Sequence, residues 1–109
     1  KASDGSIVAE GDITAFGSAS DARLKENVTT IESSLDKVSK LGGYTFNYID
    51  KPDTRMAGVI AQEVQEVLPE VVYENEGHLA VRYGNMVPLL IEAIKELKAE
   101  IEELRQSHP

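Results

Sequence analysis

The C-terminal part of the sequence carries a heptad pattern that constrains the fold more than any other feature. From about Asn85 to Arg105 no helix-breaking residue follows Pro88, and a proline in the first turn forfeits no intrahelical hydrogen bond. Apolar residues recur there at alternating spacings of 3 and 4, as in the a/d seam of a coiled coil: Val87, Leu90, Ile94, Leu97, Ile101 and Leu104. We therefore predict one long helix over residues 85–105.

The two halves of this helix differ in what surrounds the seam. The first half carries further apolar residues, namely Met86, Leu89, Ile91 and Ala93, so we expect it to pack on its own domain. In the second half charged residues leave only the narrow seam, which requires identical partner helices. Ile at a with Leu at d favours two strands, whereas Ile91 and Ala93 beside the seam favour three or more. The residues alone leave this number open.

The preceding residues predict a small α+β domain with short helices and a small sheet. Thr29 and Glu32 form a capping-box pattern at the start of a helix that should end at the glycine pair 42–43. Its apolar face would be Ile31, Leu35, Val38 and Leu41. We predict strands over 44–49 and 56–60, a helix over 61–68 ended by Pro69, and a hairpin of 71–74 with 78–83. In that helix we expect one face to point inward, namely Ile60, Val64, Val67 and Leu68, and the other to point outward, namely Gln62, Glu63, Gln65 and Glu66. Residues 6–9 and 12–16 are predicted as two more short strands, and 17–19 as a linker.

Composition excludes several classes of function. The net charge of −8 and the lack of a basic stripe argue against nucleic-acid binding and against attraction to acidic membrane surfaces. The chain has no cysteine, so it has neither disulfides nor thiolate chemistry. His78 and His108 are isolated, so we expect no metal site and no cofactor. No apolar run is long enough for a membrane span, and with Lys1 first we expect a fragment of a longer protein.

Residues 20–27, which read Ser-Asp-Ala-Arg-Leu-Lys-Glu-Asn, place a hydroxyl and an amine five positions apart. A neutral lysine can take the proton of a serine hydroxyl and so activate it as a nucleophile. Ser20 and Lys25 are therefore a candidate catalytic dyad, and a solvated basic face is the alternative. Because positions five apart do not face each other on a helix, the segment should form a turn or assemble across subunits.

Four segments together resemble one family: residues 11–16, 20–27, 58–65 with 68–71, and 83–97. They are similar to the C-terminal intramolecular chaperone of phage tail fibres, tailspikes and endosialidases, the self-cleaving family called peptidase S74. The specific feature is the combination of Ser-Asp-x-Arg-Leu-Lys with the Ile-Ala-Gln-Glu-Val that starts at Ile60.

The resemblance implies a parallel homotrimer whose client is an upstream β-rich fibre or spike of the same chain. The domain would assemble that client and then cut itself off between Ala19 and Ser20, with Ser20 as nucleophile and Lys25 as base. Asp21 and Arg23 match motif positions that order the site, and the charge of Arg23 would favour a neutral Lys25. The Ser20 hydroxyl would attack the carbonyl of Ala19 in its own chain or in a neighbour.

The same resemblance implies a division of the chain and a location. Residues 1–19 would be the C-terminal end of the fibre, and residues 20–109 the chaperone, with 85–105 as its coiled-coil helix. Assembly would take place in the host cytoplasm, and the parent protein would reside in the virion tail. A second interpretation is a permanent structural trimerisation cap of the same fold that does not cut. A hydrolase acting on foreign peptides comes third, since no substrate cleft is predicted.

Overall fold

The computed structural model describes residues 19–107, which fall into two compact units that divide between Thr30 and Ile31. The predicted strands at 6–9 and 12–16, most of the linker, and His108 lie outside the described residues. The first unit, here the motif unit, is residues 19–30 and has one 3₁₀ turn over Ala22–Leu24. The second, the core unit, is residues 31–107 and has the predicted α+β content.

Three helices and four strands form the core unit. In chain order they are α1 (Ser34–Ser39), β1 (Tyr44–Phe46), β2 (Met56–Gly58), α2 (Ala61–Val67), β3 (Val72–Asn75), β4 (His78–Val81) and α3 (Val87–Ser107). Short 3₁₀ turns over Pro69–Val71 and Tyr83–Met86 follow α2 and precede α3. The strands form two separate antiparallel pairs, β1 with β2 and β3 with β4.

A small hydrophobic core forms where α2, the Pro69–Val71 turn and the start of α3 meet. Its buried residues are Val64, Val67, Leu68, Val71, Met86 and Leu89. Burial of such a side chain contributes roughly 1.5–3 kcal/mol, so this core supplies limited stability. The inward face predicted for α2 is confirmed at Val64 and Val67, but Ile60 is 43% exposed and does not face inward.

Strands β1 and β2 are shorter than predicted because side chains replace the backbone ladder beyond their ends. After β1, the Asn47 Nδ2 donates to the carbonyls of Pro52 and Thr54, each at 2.9 Å. After β2, the Val59 N–H donates to the Tyr83 hydroxyl oxygen at 3.1 Å. Tyr83 lies so close that a Cβ on Gly58 would sit 2.5 Å from its oxygen, which explains the glycine.

The hairpin of β3 and β4 is confirmed, with Asn75 opposite His78. Its two-residue turn has positive φ at both positions, 51° at Glu76 and 82° at Gly77. This is the type I′ geometry whose twist matches that of the paired strands.

The prediction that a helix starts at Thr29 is wrong, because α1 begins only at Ser34. The Thr29 hydroxyl donates to the Asn27 carbonyl instead of capping a helix. Ser33, at the N-cap, has a left-handed φ of 53° and no side-chain capping bond. The cap comes instead from Glu96, 62 positions along the chain from Ser34. Its carboxylate accepts hydrogen bonds from the N–H groups of Ser34 at 2.6 Å and Leu35 at 3.3 Å.

The long helix α3 begins and ends two residues later than predicted. Its first half packs on its own unit as expected, but through Leu89 and Ala93, which are 0% and 6% exposed. Helix α1 lies against this stripe. The seam residues form a neighbouring stripe and are all between 44% and 66% exposed: Val87, Leu90, Ile94, Leu97, Ile101 and Leu104. No helix within residues 19–107 is both long and apolar enough to cross a membrane.

We predict that Glu96→Ala destabilises the core unit by about 1–3 kcal/mol, because it leaves the buried N–H of Ser34 without an acceptor. Glu103→Ala is the matched control, since Glu103 lies one heptad further along α3 and is exposed. Urea unfolding at equal protein concentrations measures both. Equal losses of stability in the two variants would show that the Glu96 cap contributes nothing.

Candidate functional site

The candidate site is built on the 3₁₀ turn of the motif unit. Asp21 is its N-cap, and its Oδ1 accepts a hydrogen bond from the Arg23 N–H at 2.9 Å. The backbone closes the turn through Leu24 N–H to Asp21 O at 3.0 Å and Lys25 N–H to Ala22 O at 3.1 Å. Aspartate favours this position because its short side chain reaches the N–H two residues on.

Arg23 forms a two-point ion pair with the same aspartate. Its Nε donates to Asp21 Oδ1 at 3.1 Å, and a terminal nitrogen donates to Oδ2 at 2.8 Å. The side-chain hydrogen bonds from Arg23, followed by the backbone one, lower the pKa of Asp21 below its ordinary 3.8. The Asp21 carboxylate offsets the charge of the guanidinium. Arg23 therefore stabilises the turn more than its charge acts on Lys25.

The turn brings the two candidate catalytic side chains into contact. The Lys25 Nζ donates a hydrogen bond to the Ser20 Oγ at 2.8 Å. A 3₁₀ turn followed by extended backbone at Lys25 allows this contact between positions five apart, and a turn is one of the two arrangements that the sequence left open. Ala19, Ser20 and Lys25 are all exposed, so the bond between Ala19 and Ser20 is accessible. Asp21 and Arg23 complete this exposed cluster, whereas the seam residues belong to the core unit.

The core unit holds an open groove of about 650 Å³. Aromatic and aliphatic side chains from β1, β4, the segment after β2 and the Tyr83–Met86 turn line it, among them Tyr44, Phe46, Ile60 and Tyr83. Its lining includes no histidine, aspartate, glutamate or lysine. The described lining of the groove is therefore mainly apolar, and no group of metal ligands occurs among the described residues.

Glu63 is a structural residue that the sequence analysis placed on the outer face of α2. It is half-buried, and its carboxylate accepts hydrogen bonds from the Gly42 N–H at 3.2 Å and the Tyr44 hydroxyl at 2.8 Å. This hydrogen bond raises the pKa of Tyr44 above its ordinary value. No periodic pattern marks such a residue, because its partners lie about twenty positions away.

Comparison with known proteins identifies the family. The family model described as "Chaperone of endosialidase", peptidase S74, matches residues 20–73. The chain belongs to this family. The match begins at Ser20, the residue just before the N-cap of the turn described above, and confirms the resemblance predicted from residues 20–27 and 58–65.

Relatives of this S74 chaperone domain are long tail fibre proteins of phages. Gp37 of Enterobacteria phage K3 is 43% identical over 95 residues, which cover 78% of this chain and 8% of that protein. Gp37 of Enterobacteria phage T2 is also 43% identical over 95 residues, covering 78% of this chain and 7% of the relative. Gp37 of Salmonella phage S16 is 35% identical over 100 residues, 81% of this chain and 13% of the relative. The chain thus spans less than a tenth of the K3 and T2 proteins.

We predict that Arg23→Ala raises the pKa of Asp21 toward its ordinary 3.8, because the substitution removes the side-chain hydrogen bonds that stabilise the carboxylate. Since the folded turn lowers this pKa, the contribution of Asp21 to the turn is present above 3.8 and is lost as the pH falls through the lowered value. NMR titration of the side-chain carboxyl carbon measures the shift.

Lys25→Ala is the control for this titration, because Lys25 is not among the groups that shift the pKa of Asp21. An unchanged Asp21 pKa in Arg23→Ala would mean that the ion pair does not persist in solution.

Proposed function

We propose that residues 20–109 form an intramolecular chaperone that trimerises a phage tail fibre and then releases itself by cutting between Ala19 and Ser20. The observation that carries this proposal is the 2.8 Å contact between Lys25 Nζ and Ser20 Oγ, in a segment at which the family match begins. Residues 1–19 are then the end of the fibre, which agrees with the relatives being long tail fibre proteins. Assembly takes place in the host cytoplasm, and the fibre becomes part of the virion.

The bonds that form and break in the proposed cut involve only groups at this turn and one water molecule. With a neutral amine the contact between Lys25 and Ser20 reverses, so that the hydroxyl donates its proton to Nζ. The Ser20 Oγ then bonds to the carbonyl carbon of Ala19. The bond from that carbon to the Ser20 nitrogen breaks, the nitrogen takes a proton, and an ester remains. Water hydrolyses the ester, giving a carboxylate at Ala19 and restoring the Ser20 hydroxyl.

The exposure of the dyad supports a link between cutting and assembly. An amine surrounded by water favours its charged form, which cannot accept the serine proton. The required burial of Lys25 is therefore assigned to a neighbouring chain in the trimer. Because Ser20 and Lys25 meet within one chain, we propose attack on the Ala19 carbonyl of the same chain, with the neighbour excluding water.

The proposed trimer forms through the exposed seam of α3. Three parallel copies would bury the a and d side chains against one another, and Glu100 at g would face Arg105 at e of a neighbour. Each such exposed ion pair contributes about 0.2–1 kcal/mol, so the seam supplies most of the free energy of assembly.

A permanent trimerisation cap without proteolysis is the second candidate function. The exposure of Lys25 in the single chain favours this function, because a cap does not require a neighbouring chain to cover the amine. A denaturing gel of freshly expressed protein separates the two functions, since a cut between Ala19 and Ser20 yields a smaller fragment and a cap stays intact.

We predict that Ser20→Ala and Lys25→Ala each abolish cutting and leave the fold unchanged, because one removes the nucleophile and the other the base. A gel gives the cut fraction, and circular dichroism gives the helix content. Lys40→Ala is the control, since Lys40 is an exposed lysine outside the motif. Full cutting of Lys25→Ala at neutral pH would exclude lysine from the mechanism.

We predict that Ile94→Ala and Leu97→Ala each weaken the trimer by roughly 2–5 kcal/mol per chain, because both side chains become buried in the seam. In an isolated chain they are 66% and 45% exposed, so without assembly their loss would change stability by no more than about 0.5 kcal/mol. Sedimentation over a range of concentrations measures the effect, with Gln106→Ala, at an exposed f position, as control. A concentration-independent monomer that cuts itself efficiently would contradict both the trimer and its link to cutting.

A further inference from the structure

Helix α3 carries opposite charges on the two edges that flank its seam. The acidic edge, at positions c and g, holds Glu96, Glu100 and Glu103. The basic edge, at positions b and e, holds Lys95, Lys98 and Arg105. Glu102 is the acid on the basic edge, and its carboxylate lies 3.8 Å from the Lys98 Nζ of the same helix.

These two edges fit a second copy of the same chain in parallel orientation. In a parallel bundle the g side of each helix lies beside the e side of the next, so acidic meets basic at every interface. An antiparallel pair would bring acidic against acidic and basic against basic. Because each interface joins two different edges, three copies can close into a ring. This step rests on the trimer of the proposed function.

Helix α1 covers part of the acidic edge. Ala93, at a g position, is only 6% exposed, and Ser34 at the start of α1 is fully buried. The Glu96 carboxylate, at the next c position, holds the first two N–H groups of α1. A neighbouring helix approaching this edge therefore meets α1 before it can reach Ala93.

The matching part of the basic edge is apolar where it would meet α1. Ile91, at the e position closest to the start of the helix, is 50% exposed, and Lys98 follows at the next e position. We propose that α1 is a subunit contact, against which Ile91 and Lys98 of a neighbouring α3 pack. The trimer interface then includes the globular part of each core unit as well as the seam.

Photo-crosslinking tests the contact directly. Ile91 is replaced by the photoreactive residue p-benzoylphenylalanine in the full chain with Ser20→Ala, which keeps the chain whole. We expect an adduct of two chains on a denaturing gel, with the adduct mapped by mass spectrometry to residues 31–41 of the second chain. The same replacement at Ala99, an f position on the outer face of α3, is the control and should give no such adduct.

Sedimentation supplies a second measurement that does not depend on the probe. Ile91→Glu should raise the protein concentration at which the trimer dissociates by at least about tenfold relative to Ala99→Glu, which adds the same charge away from the interface. A trimer with adducts only in residues 87–107, or with equal dissociation of the two variants, would overturn the α1 contact and leave the trimer standing. A wild-type chain that stays monomeric at all concentrations would overturn the trimer and this contact together.

Discussion

The bond between the Glu96 carboxylate and the start of α1 is the interaction on which the arrangement of the core unit depends. Helix α1 has only six residues, too few to be stable in water, and its own flanking residue Ser33 does not cap it. Glu96 satisfies two N–H groups that would otherwise be buried without partners, while Val38 packs on the core. The helix therefore exists only where α3 offers both a carboxylate and an apolar stripe.

The geometry of the motif unit does not depend on distant residues, in contrast to that of α1. It is set by residues two to five positions apart. One aspartate caps the turn and pairs with the guanidinium, and the closed turn brings Lys25 to Ser20. Such a segment needs no core to define its shape. What it lacks in a single chain is shielding from water, since all its residues are exposed. In the proposed function the turn supplies the geometry, and a neighbouring chain supplies the shielding from water.

Elements whose pattern repeats along the chain could be predicted from the sequence, as α2, α3 and the hairpin show. The contact between Ser20 and Lys25 could also be predicted in outline, because a spacing of five excludes a regular helix. Failures occurred where a distant side chain decides the outcome. The start of α1 depends on Glu96. The inward position of Glu63 depends on its hydrogen bonds with Gly42 and Tyr44. The end of β2 depends on Tyr83. Such partners become neighbours only after folding, so no local spacing reveals them.

The order of the dyad and the seam along the chain has a consequence for protein synthesis. A ribosome completes Ser20 and Lys25 long before it reaches Val87, so a nascent chain holds the hydrogen-bonded pair while it has no seam. A pair that worked as soon as it formed would sever the growing polypeptide before its chaperone had been translated. In the mechanism proposed above, the solvent exposure of the pair in a single chain acts as a delay, which holds the peptide bond intact until translation has passed the last heptad.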